Sequence, residues 1–452
     1  YLDSVPLLVF TGQVGRQSIG KDAFQEADTV GITAPITKYN YQIRETADIP
    51  RIVTEAYYLA RTGRPGPVEI DLPKDVSTLE VTEINDPSLN LPHYHESEKA
   101  TDEQLQELLT ELSVSKKPVI IAGAGINYSG SVDIFRAFVE KYQIPVVSTL
   151  LGLGTLPISH ELQLGMAGMH GSYAANMALV EADYIINLGS RFDVRVVSNP
   201  AKFAKNAVVA HIDIDAAGLG KIVKTDIPIL SDLKAALSRL LQLNKVKTDF
   251  NDWIKTVIEN KEKAPFTYEP QNHDIRPQET IKLIGEYTQG DAIIVTDVGQ
   301  HQMWVAQYYP YKNARQLITS GGMGTMGFGI PAAIGAKLAQ PNKNVIVFVG
   351  DGGFQMTNQE LALLNGYGIA IKVVLINNHS LGMVRQWQES FYEERRSQSV
   401  FDVEPNFQLL AEAYGIKHVK LDNPKTLADD LKIITEDEPM LIEVLISKSE
   451  HV

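Results

Sequence analysis

Residues Val345 to Leu381 constrain this chain more than any other stretch. Val345–Val349 is an unbroken apolar run, which predicts a strand buried on both faces of a parallel sheet. Gly350-Asp351-Gly352-Gly353 follows at its carboxyl end. Met356–Leu364 then reads as a helix, and a second buried strand, Ile371–Ile376, ends in Asn377-Asn378. In open α/β sheets, ligands bind beyond the carboxyl ends of the strands. Both polar clusters fall there.

These residue types suit a magnesium-bound diphosphate. Mg²⁺ takes about six hard oxygen ligands and needs little charge from the protein when phosphates supply the rest. Asp351 offers a carboxylate, Asn378 an amide carbonyl, and the backbone near Ser380 a further carbonyl. Glycines let backbone N–H groups approach phosphate at the start of a helix, whose dipole favours anions. The bland alternative is a strand–turn–helix with a capping Asp. GDG, helix, strand and NN in this order argue against it.

At 452 residues, several domains are expected. The formal charge of −14 disfavours nucleic acid or an anionic membrane as the main partner. There is no cysteine, hence no disulfide framework and no thiolate metal site, in keeping with a reducing compartment. No run of about eighteen apolar residues predicts a membrane span. Leu7–Phe10 reads as a buried strand with no partner before it, and the sequence stops just after the strand Leu441–Ile446. The chain is therefore expected to be a fragment lacking both ends.

The order of elements predicts an α/β fold of three Rossmann-like parallel-sheet domains, the first incomplete. They are placed at 1–92, 102–246 and 277–452, with a linker over 247–276. In the first, Asp22–Asp28 begins a short helix. Pro50–Thr62 is an amphipathic helix with Ile52, Val53, Ala56, Tyr57 and Ala60 on its apolar face, and Val68–Leu72 is a strand. Asp86 to His95 reads as a linker. In the second, the strand Pro118–Ala122 ends in Gly123-Ala124-Gly125, Ala182–Leu188 ends in Gly189-Ser190-Arg191, and Ala207–Ile214 carries Asp213 at its tip. Glycines after a first strand and an acid at a later strand tip can hold a nucleotide, although the third glycine falls late for GxGxxG.

Further motifs make a family resemblance specific. Asp297-Val298-Gly299-Gln300-His301-Gln302-Met303-Trp304, the Gly-rich loop Ile318–Gly329 and Gly382-Met383-Val384-Arg385-Gln386-Trp387-Gln388, together with GDG…NN, resemble the acetohydroxyacid (acetolactate) synthases, which are thiamine diphosphate (ThDP) enzymes. The resemblance runs through nearly the whole chain. It implies ThDP held through Mg²⁺ by Asp351, Asn378 and the carbonyl near Ser380. It implies cofactor contacts from Val298, Gly299, Gln300, His301, Gly324, Met326, Gly352, Gly353, Leu381, Gly382 and Met383. Met326 would prop the cofactor in its bent form, and the Gly324 carbonyl would accept from its aminopyrimidine.

Gly165–Gly171 and Arg191-Phe192-Asp193-Val194-Arg195 resemble the FAD-contacting segments of the biosynthetic members. The resemblance assigns to FAD Arg64, Gly123, Ala124, Gly125, Thr149, Leu150, Met169, His170, Gly171, Gly189, Ser190, Arg191, Asp193, Arg195, Asp213, Ile214 and Asp232. Val194 departs from the pattern, which usually has a second Asp there, and Met166 and Met169 suit core packing equally well. Gln25 and Lys74 would line a substrate channel at a subunit interface. Trp387 would favour one acceptor 2-ketoacid over another, with aromatic packing as its alternative. The family's activating glutamate belongs to the first half of the pyrimidine-binding domain, and no residue here matches it. The sequence as given is therefore expected to lack carboligase activity.

The resemblance implies ThDP-dependent decarboxylation of pyruvate and carboligation to pyruvate or 2-ketobutyrate in branched-chain amino-acid biosynthesis. It also implies structural FAD, a homodimer or homotetramer, a small regulatory subunit as the family commonly has, and a cytoplasmic or plastid location. The other readings are a catabolic acetolactate synthase or pyruvate oxidase, and a non-catalytic cofactor-binding module. No zinc pair or serine elbow is present.

Overall fold

The computed structural model describes residues 1–81, 86–94, 99–270 and 273–452. His95, at the end of the expected interdomain linker, and residues 271–272 of the second linker lie outside the described residues. The chain divides into two compact units: residues 1–99 with 214–216, and 100–213 with 217–452.

The first unit holds three parallel strands, β1 (Leu7–Gln13), β2 (Tyr39–Gln42) and β3 (Pro67–Pro73), in the order β1-β3-β2. The helix Ile49–Arg61 buries Ile52, Ala56, Leu59 and Ala60 with Ile43, Val68 and Ile70. Within the described residues β1 pairs only with β3, and Leu7 and Phe10 are 53% and 55% exposed. Two expectations fail here. Tyr57 faces outward, and Leu59 takes its place on the packed face. Asp22–Asp28 forms turns rather than a helix. Glu26 Oε2 there accepts from the Ala23 N–H (2.9 Å), a local side-chain bond that competes with helix. The helix begins only at Thr29, where Asp28 caps it by accepting from the Gly31 N–H at 2.9 Å.

The second unit contains two six-stranded parallel sheets. The first comprises β4 (Pro118–Ala122), β5 (Val146–Ser148), β6 (Gln163–Met166), β7 (Tyr184–Leu188), β8 (Val208–Asp213) and β9 (Ile227–Leu230). Its order is β6-β5-β4-β7-β8-β9. In local numbering this is 3-2-1-4-5-6, the doubly wound order whose switch point lies between β4 and β7. Strands β6 and β9 escape sequence inspection: each has four residues, interrupted by Gly165 or Pro228. The helix Asn251–Lys263, in the stretch read as linker, buries Trp253 and Val257 in this core.

The other sheet comprises β10 (Ile293–Thr296), β11 (Leu317–Thr319), β12 (Val345–Gly350), β13 (Ile371–Asn377), β14 (Lys417–Leu421) and β15 (Met440–Leu445). Its order is β11-β10-β12-β13-β15-β14, with all neighbours parallel. Successive side chains point to opposite faces. In β12, Ile346 and Phe348 accordingly join one core, with Ile284, Trp304 and Leu431. Val345, Val347 and Val349 join the other, with Ile330, Phe354 and Phe407. Helices cover both faces, as an all-parallel sheet requires.

The helix after β12 differs from expectation. It starts at Asp351, immediately after Gly350, and ends at Thr357; a 3-10 turn, Asn358–Glu360, separates it from Leu361–Gly366. The turn is this tight because Gly353 packs on Asp297, where a Cβ would meet Oδ1 at 2.6 Å. Among the described residues, no helix is long and apolar enough to cross a membrane.

Phe348 is fully buried at the centre of the last sheet. Phe348→Ala is expected to cost about 3–5 kcal/mol, read as a lowered unfolding midpoint in denaturant; an unchanged midpoint would contradict the packing described.

Candidate active site

In the last sheet, the connection from β10 leads to β11 on one side, while the chain returns to β12 on the other. The crevice between the ends of β10 and β12 is therefore a switch point. Four segments meet there: residues 297–301 after β10, the Gly-rich loop 320–328, residues 350–353 after β12, and residues 377–383 after β13.

Asp297 organises the first two. Its fully buried carboxylate accepts from the backbone N–H of Val298 (2.9 Å), Gly327 (3.1 Å) and Gly329 (2.9 Å). The last two of those bonds pin the chain just after Met326. Met326 Cε reaches a point 3.7 Å from where a Gly352 side chain would begin. Asp297 opens one of the motifs above but was not selected as a site residue; a carboxylate right after a buried strand was the signal available.

Asp351 is 1% exposed. Its Oδ1 accepts from the Gly352 N–H (2.8 Å) and its Oδ2 from the Ser380 N–H (3.0 Å). Burial, followed by the negative charge of Glu404, pushes its carboxyl up to about 7. Asn378 is also buried. Its Nδ2 donates to Gln300 Oε1 (3.1 Å), and its Oδ1 accepts from Ser380 Oγ (3.0 Å). Gln300 Nε2 donates in turn to Gln386 Oε1 (2.7 Å). A Cβ at 382 would stand 2.0 Å from Gln300 Oε1 and 2.6 Å from Asn378 Nδ2, so a side chain there would displace both amides. Burial lowers the His301 imidazole to about 4, so the ring is neutral near pH 7. Its Nε2 is buried without a partner among the described residues.

These observations fit a magnesium diphosphate. Asp351, Asn378 and the chain at Ser380 present hard oxygens in one place. A buried carboxyl that resists ionisation is the group a divalent cation would stabilise. His301 Nε2 is a buried polar atom in need of a partner. Val298, Gly299, Gln300, His301, Gly324, Met326, Asp351, Gly352, Gly353, Asn378, Ser380, Leu381, Gly382 and Met383 all lie in these four segments.

Trp387 sits further along the helix Gly382–Phe391 and is 48% exposed. It borders an open hollow of about 430 Å³ with Met383, Val384, Gln388, Tyr392 and Arg395.

The switch point of the other sheet is lined by glycine. A Cβ on Gly123 would lie 2.2 Å from the Gly189 carbonyl oxygen, and one on Gly125 would lie 2.7 Å from Gly189 Cα. The ends of β4 and β7 thus touch backbone to backbone at the sheet's switch point. Gly123, Ala124, Gly125, Thr149, Leu150, Gly189, Ser190 and Asp213 surround these strand ends. Asp193 binds Arg191 Nη2 (2.8 Å) and the Arg195 N–H (3.0 Å), folding its own loop. The Arg195 carbonyl accepts from the Met169 N–H (2.9 Å), and the His170 carbonyl from Gln307 Nε2 (3.0 Å). Burial, then the Arg195 charge, lowers the His170 imidazole. Arg195 also approaches the Gly-rich loop, 3.9 Å from the Cβ position of Gly324. The segment assigned to flavin thus adjoins the loop assigned to ThDP. Of the two methionines, Met166 is core, whereas Met169 is 59% exposed. Asp232 caps the helix Leu233–Gln242, accepting from the Ala235 N–H at 3.0 Å.

Gln25, Arg64 and Lys74 belong to the first unit, with which Ile214 also groups. Gln25 has a left-handed backbone, with φ of 68°. Arg64 Nε donates to Ser4 Oγ at 2.9 Å. Lys74 begins the short helix Lys74–Thr78.

Sequence profiles agree with this anatomy. Residues 297–444 match the thiamine pyrophosphate enzyme C-terminal TPP binding domain, and residues 105–240 match the thiamine pyrophosphate enzyme central domain. The chain is 98% identical over 452 residues to an acetolactate synthase large subunit of Lactococcus lactis subsp. lactis (strain IL1403), covering all of this chain and 79% of that protein. It is 40% identical to the acetolactate synthase isozyme 3 large subunit of Escherichia coli (strain K12), over all of this chain and 81% of that protein. It is 43% identical to acetolactate synthase 1, chloroplastic, of Nicotiana tabacum, over all of this chain and 70% of that protein. With thiamine pyrophosphate enzyme domains over both large sheets and such identity along its whole length, the chain belongs to the acetolactate synthase large-subunit family.

Proposed function

We propose that this chain, in a protein that also supplies the activating glutamate, decarboxylates pyruvate and joins the resulting two-carbon unit to a second 2-ketoacid, pyruvate or 2-ketobutyrate, as the carboligase of branched-chain amino-acid biosynthesis. The observation that carries this reading is the meeting of Asp351, Asn378, His301 and the Asp297-anchored Gly-rich loop at one sheet switch point. Bound ThDP supplies the electron sink for such chemistry. The protein's part is to bind, orient and exclude water. Asp351, Asn378 and the Ser380 carbonyl would hold Mg²⁺. His301, neutral and buried, can donate from one ring nitrogen to a phosphate oxygen. Gln300 keeps Asn378 turned and is itself tied to Gln386. The Gly324 carbonyl and Met326 would position the aminopyrimidine.

The glycine crevice between β4 and β7, with Arg191, Asp193, Arg195 and His170 beside it, supports FAD as a second, structural cofactor. The name "large subunit" carried by the relatives supports a small partner subunit. Gln25, Lys74 and Arg64 are proposed to serve the substrate channel and the flavin, and the hollow beside Trp387 to receive the acceptor.

Three outcomes test this. In the full-length protein, Asp351→Ala should abolish Mg²⁺-dependent ThDP binding by calorimetry, and unchanged affinity would sink the metal assignment. Acetolactate formed from pyruvate with Mg²⁺ and ThDP should require FAD; full product without FAD would favour the catabolic relatives instead. The two acceptors differ by one methylene, worth about 1–3 kcal/mol in an apolar pocket. Trp387→Ala should therefore shift the product ratio from mixed pyruvate and 2-ketobutyrate by roughly tenfold, and an unaltered ratio would remove Trp387 from acceptor selection.

A further inference from the structure

Glu404 lies in a stretch with no periodicity, and neither the motifs nor the family resemblance points to it. The fold nevertheless brings it to the metal-binding residues. Residues 399–401 run antiparallel along residues 379–381: the Leu381 N–H donates to the Ser399 carbonyl (2.8 Å), the Phe401 N–H donates to the His379 carbonyl (2.9 Å), and Ser380 bridges to Val400. Phe401 also closes over Gly352, its Cζ 3.4 Å from the Cβ position there. This strap carries Glu404 inward until its side chain is only 12% exposed.

One oxygen of that carboxylate is well served. Oε2 is 2.6 Å from His379 Nδ1 and accepts from Asn377 Nδ2 at 3.3 Å. Oε1 is buried and has no donor among the described residues. The residues that hold this carboxylate, Asn377 and His379, flank Asn378, and Ser380 beside them donates its N–H to the Asp351 carboxylate (3.0 Å). A buried carboxylate oxygen without a donor is costly. Two buried carboxylates side by side are stable only with a positive charge or a proton donor between them. Mg²⁺ keeps bound waters whose protons point outward, and outer carboxylates that accept from such waters commonly tune metal affinity.

We propose that Glu404 is a further residue of the divalent-cation site, its Oε1 accepting a hydrogen bond from a water on the cation held by Asp351 and Asn378. This rests on the metal–diphosphate reading above. Glu404 adds negative charge without adding a direct ligand, and the strap that pairs with residues 379–381 sets it there. Its role is to position and retain the cation.

The test is Mn²⁺ binding by electron paramagnetic resonance, in full-length protein stripped of metal and supplied with ThDP. Glu404→Gln keeps the shape but removes the charge, and is expected to weaken Mn²⁺ binding roughly 10- to 100-fold. Glu404→Asp keeps the charge and is expected to stay within a few-fold of wild type, which a merely structural role for the strap would not produce. Asp351→Asn is the reference and should lose binding. Wild-type Mn²⁺ affinity in Glu404→Gln, with binding lost in Asp351→Asn, overturns the role of Glu404 alone. Wild-type affinity in both overturns the metal site itself.

Discussion

The order of strands β11-β10-β12-β13 is the constraint on which the rest depends. Because the chain leaves β10 toward one edge and returns as β12 on the other side, no connection covers the gap between their carboxyl ends. The buried side chains of β12 divide between two cores, so the strand cannot slip by one residue without exchanging its faces. That register fixes Gly350 and Asp351 at the rim of the gap. The pairing of β13 with β12 fixes Asn378 in the same way, with Gly350 opposite Ile376.

Charge then shapes the gap. The Asp297 carboxylate gathers three backbone N–H groups and so holds the glycine loop down. Hydrogen bonds to a charged group contribute about 1.5–3 kcal/mol each, which offsets part of the entropy of ordering a glycine-rich turn. Asp351 is likewise held by backbone, one N–H on each oxygen, but burial works against its charge. Glu404 is held on one oxygen only, and its Oε1 has no donor among the described residues.

Much of this was legible in the sequence. Val345–Val349 and Ile371–Ile376 are continuous apolar runs that suit only a doubly covered strand, and GDG and NN end them at the rim. The glycines after Pro118–Ala122 and Ala182–Leu188 marked the second switch point for the same reason. The misreadings have local causes. The stretch Asp22–Asp28 has helical composition, but Glu26 takes up the backbone N–H groups that a helix would need. β6 and β9 are too short to show a period. Glu404 was invisible because its importance arises from a strap folding back over a distant loop, a contact that no local pattern encodes.

The most direct measurement is a crystal structure of the full-length protein with ThDP and Mn²⁺, read for the anomalous signal of the metal. The account predicts one strong peak between the Asp351 carboxylate and Asn378 Oδ1, at the ends of β12 and β13. A peak elsewhere, with ThDP bound and these two residues turned away from it, would contradict the assignment of the switch point as the catalytic centre.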